Sequence, residues 1–164
     1  MGDVIACANQ KGGVGKTTTV INLATYLALA DRRVLVVDLD PQGNATSGLG
    51  VDRMAGGNSI YPALVEHAPA QSLVQTTQVD RLWLIPSARD LAGAEVELVG
   101  LPQRERRLHA ALMPLRGDFD YILLDCPPAV GLLTVNALTA ADGVLVPIQC
   151  EYYALEGLTQ LLNT

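Results

Sequence analysis

The sequence of 164 residues is short of cysteine and of long apolar runs, and each shortage excludes a class of protein. Its three cysteines are an odd number without CxxC spacing, which argues against a disulfide framework and against a zinc site. Cys7, Cys126 and Cys150 each lie in or beside a strand-like apolar run, so we expect buried, inert thiols. The longest apolar run, residues 20–30, has polar interruptions and is shorter than the roughly 20 residues that a bilayer helix needs. We therefore expect a cytoplasmic protein without a membrane-spanning segment or a membrane partner.

Basic and aromatic residues are also scarce. Eleven Lys and Arg face 17 Asp and Glu, which gives a formal net charge of −6, the wrong sign for binding DNA phosphates by counterion release. Aromatic residues make up 4% of the chain and leave little surface for stacking on single-stranded bases. Any nucleic-acid role therefore requires a local basic patch.

The apolar residues, 49% of the chain, are arranged in short continuous runs. Continuous runs are typical of parallel strands that helices cover on both faces. Between these runs lie stretches whose apolar residues recur at helical spacing. In one of them, Leu91, Val96 and Val99 are expected on one buried face. We predict one doubly wound, mostly parallel α/β sheet flanked by helices, forming a single domain over residues 1–164. The expected strands are 4–8, 34–37, 82–85, 121–124 and 143–148, and the expected helices are 17–30, 88–99, 103–115 and the start of another over 155–162.

The strongest functional motif is NQKGGVGKTTT, residues 9–19, between the first strand and the first helix. Glycines there allow backbone N–H groups to close around phosphate oxygens at the positive end of the helix dipole. Gln10 replaces the first glycine of the standard phosphate-loop pattern, yet both lysines of the chain fall inside this loop. We expect nucleotide binding by Lys11, Gly12, Gly13, Val14, Gly15, Lys16, Thr17 and Thr18, with the Thr17 hydroxyl on a Mg²⁺ ion.

Three aspartates follow apolar strands. Asp38 ends the second strand, Asp40 opens a glycine-rich loop predicted over 41–58, and Asp125 ends the strand YILLD. Because the carboxyl ends of parallel strands meet at one edge of a sheet, these carboxylates are expected around the same Mg²⁺-nucleotide.

The segments KGGVGKTT, DLDPQGNAT, DCPP and VPIQCEYYALEGL resemble the ParA/Soj branch of the deviant Walker A P-loop ATPases, over the whole chain. The resemblance implies ATP and Mg²⁺ as cofactors and catalytic roles for Lys11, Lys16 and Asp40. Lys11 would reach the phosphates of a partner in an ATP-dependent homodimer, and Asp40 would orient the attacking water. Asp125 would be the Walker B carboxylate, and Asp38 would join Thr17 and Asp125 in the metal network.

In that family the ATP-bound dimer binds DNA without sequence preference, which places it on the nucleoid, and a centromere-binding ParB-type protein stimulates hydrolysis. The resemblance therefore implies a role in chromosome or plasmid partitioning. Family chains continue for about another third, with adenine-contacting and DNA-binding residues, so we expect this chain to be C-terminally truncated. DNA binding by these residues alone is then doubtful.

Two alternatives stay open: a nucleotide-gated interaction module with negligible turnover, and a related cell-division positioning ATPase. Elsewhere we expect ordinary surface roles for the charge run 104–107 and for His67 and His109. Asn136 is interpreted as a polar residue facing the nucleotide base.

Overall fold

The fold is described by a computed structural model for residues 1–52 and 59–150. Six strands form one sheet in the order β3-β4-β2-β5-β1-β6, in which every pairing is parallel except the antiparallel pair β3 and β4. This arrangement confirms the predicted α/β class. The strands are β1 (Asp3–Cys7), β2 (Val34–Asp38), β3 (Gln75–Thr76), β4 (Leu82–Ile85), β5 (Tyr121–Asp125) and β6 (Gly143–Leu145).

Two strands differ from the prediction. The edge strand β3 has two residues and no apolar run, so no pattern in the sequence predicts it. β6 ends at Leu145 instead of continuing to 148, and Pro147 cannot donate a ladder hydrogen bond.

Helices cover both faces of the sheet. The predicted helix over 103–115 is interrupted, because 3₁₀ turns at Arg104–Arg106 and Met113–Leu115 flank a short α-helix. The segment 41–58, predicted as a loop, contains a five-residue helix too short to show apolar periodicity. The helices are α1 (Lys16–Leu29), α2 (Asn44–Gly48), α3 (Tyr61–Val65), α4 (Leu91–Val99), α5 (Arg107–Leu112) and α6 (Leu132–Ala140). The expected helix over 155–162 lies outside the described residues.

The core has two apolar clusters, one on each face of the sheet. Along β2, Val34 and Val36 belong to one cluster while Leu35 and Val37 belong to the other, and all four are fully buried. This alternation explains why the strand is apolar at every position. Within the described ranges 1–52 and 59–150, no helix is long and apolar enough to cross a bilayer.

Four expectations about individual side chains were wrong. On α4 the buried residues are Leu91, Ala94 and Leu98, whereas Val96 and Val99 are 76% and 58% exposed. Arg107 is buried and contacts His67, because the helix start at Arg107 turns its side chain inward from the rest of the charge run. Cys150 is exposed, while Cys7 and Cys126 are buried as expected. Burial raises the pKa of Cys7 to about 12, so its thiol stays protonated and inert.

Candidate functional site

The carboxyl ends of the central strands bring the sequence motifs to one edge of the sheet. Cys7, the last residue of β1, pairs with Asp125 at the end of β5, and Asp125 pairs on its other side with Asp38 at the end of β2. The glycine loop after β1 therefore lies beside both aspartates. The parallel register alone accounts for this convergence of segments that are far apart in the sequence.

The glycine loop forms an open cradle at the start of α1. Gly13 and Gly15 have φ values of 74° and 89°, in the left-handed region that favours glycine. A Cβ added at either position, or at Gly12, would meet no described atom within 4 Å, so the space in front of the loop is open. The described contacts of α1 include neither an acidic first-turn residue nor a side-chain cap. Its N-terminal N–H groups are therefore available to an anion.

Lys16 places an ammonium group at this cradle. Its side chain is largely buried, with the residue 7% exposed, and Nζ donates a hydrogen bond to the Lys11 carbonyl at 3.3 Å. Val14 is buried, so its share of the loop surface is backbone. A buried cation at the positive end of a helix strongly favours an anionic ligand.

Asn9 holds the base of the loop, and the sequence analysis missed it. Its Oδ1 accepts the Lys11 N–H at 3.0 Å and its Nδ2 donates to the Pro147 carbonyl at 2.8 Å. Gln149 adds a second tie by donating to the Gly13 carbonyl at 3.1 Å. An Asn two residues before a turn amide is a known turn signal, and it could have identified Asn9.

Thr17 and Asp125 form the candidate metal pair. The Thr17 hydroxyl donates to Asp125 Oδ2 at 2.8 Å, while the buried Asp125 Oδ1 has no hydrogen-bond partner among the described residues. Burial raises the pKa of Asp125 to about 7, and the charges of Asp38 and Asp40 add to that effect. An orphaned carboxylate oxygen next to a hydroxyl fits Mg²⁺, which takes oxygen ligands and keeps several waters.

Asp38 is engaged differently. Its Oδ2 accepts hydrogen bonds from the Thr46 hydroxyl at 2.6 Å and the Thr46 N–H at 2.8 Å, and its Oδ1 accepts the Asp40 N–H at 3.1 Å. Burial raises the pKa of Asp38 to about 6 in spite of these bonds. The carboxylate therefore fixes α2 against β2. No group of three His, Cys, Asp or Glu side chains within 1–52 and 59–150 is arranged to hold a metal alone.

Asp40 follows β2 by two residues and is buried, with 8% of its surface exposed. Its Oδ1 accepts the Gln42 N–H at 2.9 Å, and its carbonyl accepts the Ser87 hydroxyl at 2.7 Å. Ser87 was not found by sequence analysis, because it belongs to no phosphate-binding or metal-binding pattern, and Thr46 lies in the quoted segment DLDPQGNAT but was given no role of its own.

A cavity of about 350 Å³ lies between the glycine loop and Asp40, and neither Asp38 nor Asp125 is among the residues that line it. Its volume lies within the range of small-molecule sites, about 300–1,000 Å³. The predicted residues Thr18 and Gly12 line it together with Lys16, Thr17 and Asp40. The further lining residues are Gly13, Gly15, Gln42, Asn44 and Pro128.

Asn136 does not face this cavity, which corrects the expectation that it contacts the base. It is fully buried on α6, where its amide donates to the Arg104 and Leu132 carbonyls and its Oδ1 accepts the Leu108 N–H. Asn136 therefore ties α6 to α5, because a buried amide must satisfy both its donors and its acceptor.

Comparison with known proteins identifies a family model and relatives that match nearly the whole chain. A family model described as an AAA domain matches residues 2–164. The chromosome partitioning protein ParA of Myxococcus xanthus (strain DK1622) is 58% identical over all of this chain and 58% of its own length. The sporulation initiation inhibitor protein Soj of Bacillus subtilis (strain 168) is 56% identical over all of this chain and 65% of its own length.

A solved structure is similar throughout the chain. Cobyrinic acid a,c-diamide synthase from Mycobacterium smegmatis, with bound ATP analogue and magnesium, has a TM-score of 0.94 and 45% identity, covering 99% of this chain and 66% of that one. The chain thus spans about three fifths of the length of the curated relatives it matches. Since the family model matches nearly every residue and the phosphate loop carries both lysines, the chain belongs to the ParA/Soj group of P-loop proteins.

Proposed function

We propose that the chain is a Mg²⁺-dependent ATP hydrolase that switches by ATP-driven homodimerisation and acts in chromosome or plasmid partitioning. The observation that carries the proposal is the open glycine cradle with the buried Lys16 beside the Thr17–Asp125 pair. A cation and helix N–H groups at one small cavity suit a phosphate, and the Thr17 hydroxyl that lines the same cavity, hydrogen-bonded to Asp125, suits a hard metal ion. The magnesium in the related ATP-analogue structure supports the same assignment.

In this proposal each side chain has a separate task. Lys16 and the loop amides bind the β- and γ-phosphates, and their positive charge favours the transition state. The Thr17 hydroxyl and Asp125 would hold the Mg²⁺ ion, which neutralises charge on the phosphate oxygens. Asp40, which lines the cavity, orients the attacking water. Asp38 holds α2 in place through its hydrogen bonds with Thr46.

The partners are proposed from the relatives. Two relatives that are 58% and 56% identical to this chain are named for chromosome partitioning and for inhibition of sporulation. From the resemblance to the ParA/Soj family we further propose a second copy of this chain as a partner, with Lys11 contacting the phosphates of that copy. A ParB-type centromere-binding protein and non-specific DNA are the further partners that the proposal includes. The formal charge of −6 requires any DNA contact to be local.

Turnover and mass measurements test this function together. The wild-type chain should hydrolyse Mg²⁺-ATP, and Asp40→Ala should lower kcat by about 10²-fold while nucleotide binding persists. Light scattering of Asp40→Ala should give a dimer with Mg²⁺-ATP and a monomer with Mg²⁺-ADP. Adding Lys11→Ala in the same background should restore the monomer.

Asp118→Ala is the matched control, because Asp118 is exposed and lies next to the amino ends of the strands, away from the cavity. Its turnover and mass should equal those of the wild type. A chain that binds ATP but shows neither turnover nor a dimer would contradict the proposal and favour the nucleotide-gated interaction module.

A further inference from the structure

A buried serine outside the phosphate motifs contacts Asp40 from behind the cavity lining. Ser87 follows β4, whose neighbour in the sheet is β2, and it is 1% exposed. Its hydroxyl donates to the Asp40 carbonyl at 2.7 Å, and its N–H donates to the Thr46 hydroxyl at 2.9 Å. Ser87 thus contacts the segment that follows β2 at two places, at Asp40 near its start and at Thr46 in the helix α2.

The Thr46 hydroxyl continues the connection to Asp38. It accepts from the Ser87 N–H and donates to Asp38 Oδ2 at 2.6 Å, so its single proton and one of its two lone pairs are used. Thr46 and Asp38 are fully buried. Hydrogen bonds in such a dry position are strong and directional, which fixes the three residues relative to one another.

The backbone of Asp40 is consequently held on both sides. Its N–H donates to Asp38 Oδ1 at 3.1 Å, and its carbonyl accepts from the Ser87 hydroxyl and from the Gly43 N–H at 2.8 Å. Anchors on both peptide groups restrict φ and ψ at Asp40. The backbone of Asp40 is thus held by residues that do not line the cavity, while its carboxylate accepts the N–H of Gln42, which does.

We propose that Ser87 is a positioning residue for Asp40: its hydroxyl, acting with Thr46, fixes the backbone from which the Asp40 carboxylate faces the cavity. The purpose of this positioning, which is to orient the attacking water, rests on the proposed ATPase function. A purely structural serine would support the fold as a whole. A positioning serine controls the segment from Asp40 to Thr46 and, through it, the hydrolysis step.

Amide hydrogen exchange tests the anchoring without any need for turnover. The N–H groups of Asp40, Gln42, Gly43 and Thr46 all donate within this network and serve as reporters. In Ser87→Ala their exchange in the full chain should become about five- to tenfold faster, as expected for the loss of one hydrogen bond. Exchange in β1 and β5 should stay unchanged.

Two further variants complete the exchange experiment. Ser72→Ala is the matched control, because Ser72 is exposed and its hydroxyl donates only to the local Pro69 carbonyl. Ser87→Cys keeps a similar size with a weaker donor and should give an intermediate rate, which provides a reading if Ser87→Ala does not fold. Unchanged exchange at the four reporters, or equal acceleration throughout the chain, would overturn the proposal.

Kinetics separate positioning from support of the fold. Ser87→Ala should lower kcat about five- to tenfold and leave KM for ATP within about twofold, since no phosphate contact is removed. In an Asp40→Ala background the same change should have no additional effect, because the two residues act together. A full additional loss there would contradict the proposal. A wild-type chain without turnover would instead refute the proposed function, and the exchange result would still decide whether Ser87 anchors Asp40.

Discussion

The two ends of the same strands hold aspartates in opposite environments. At the carboxyl ends of β2 and β5, Asp38 and Asp125 are fully buried, and burial raises their pKa values to about 6 and about 7. At the amino ends, Asp120 precedes β5 and bonds to both the N–H and the guanidinium of Arg33 before β2. The hydrogen bonds from Arg33 lower the pKa of the half-exposed Asp120.

The difference separates a binding edge from a structural edge. Opposite charges meet at the amino edge, where Arg116 also contacts Asp142 and Gly2 lies so close to the Phe119 carbonyl that a Cβ would meet it at 2.2 Å. At the carboxyl edge, by contrast, three carboxylates crowd together, and among the described residues the buried Asp125 Oδ1 has no hydrogen-bond partner. An incompletely satisfied cluster costs stability and is a feature of sites that await a ligand.

Lys16→Met should have the largest effect, because it removes the buried ammonium from the carboxyl edge. We expect Mg²⁺-ATP affinity to fall by at least about a hundredfold, since a charge-assisted contact to phosphate is lost. Titration with a fluorescent ATP analogue measures this loss. Arg33→Met removes a cation from the amino edge, and this variant should bind Mg²⁺-ATP with wild-type affinity. An equal loss of affinity in both variants would contradict the assignment of binding to the carboxyl edge.

Asp125→Asn should stabilise the protein without ligand while impairing its metal-dependent behaviour. The change removes a buried, partly unsatisfied carboxylate but keeps an oxygen that can accept the Thr17 hydroxyl. We expect the free energy of unfolding to rise by about 1–3 kcal/mol at pH 8, measured by urea denaturation without Mg²⁺ or nucleotide. The further stabilisation that Mg²⁺-ATP gives the wild type should be lost. A less stable variant would show that Asp125 supports the fold.

The same variant has a defined pH dependence. Burial raises the pKa of Asp125 from 3.8 to about 7 in the folded chain, so between these values the folded state keeps a proton that the unfolded state releases. The contribution of Asp125 to the free energy of unfolding therefore decreases as the pH rises from about 4 to about 7 and then levels off. Asp125→Asn lacks this contribution, so its advantage should grow over that interval. An advantage independent of pH would contradict the assignment.

The sequence predicted the parts of this edge that depend on local patterns. Continuous apolar runs gave the central strands, and Lys16-Thr17 after a glycine-rich turn located the cradle. The register then explains why Asp38 and Asp125 meet. Their assignment to metal and nucleotide remains a prediction.

Other features depend on contacts that no local pattern encodes. α2 has five residues and is held by Asp38 through Thr46, so its stability comes from a partner eight positions away. Ser87 reaches Asp40 only because β4 lies next to β2 in the sheet. Arg107 is buried although the run around it is highly charged, because its direction depends on where α5 begins.

Asp120→Asn should have the smallest effect. The Asp120–Arg33 pair is partly exposed, with side-chain exposures of 35% and 45%, so water and salt screen it. We expect a decrease in Tm of no more than about 2 °C at pH 7. Since the pKa of Asp120 is lowered in the folded state, this contribution is present at neutral pH and disappears as the pH falls through the folded pKa, below 3.8. Thermal melts at low and high salt check the result, and a loss that is large and insensitive to salt would mean that the amino edge, too, depends on a buried charge.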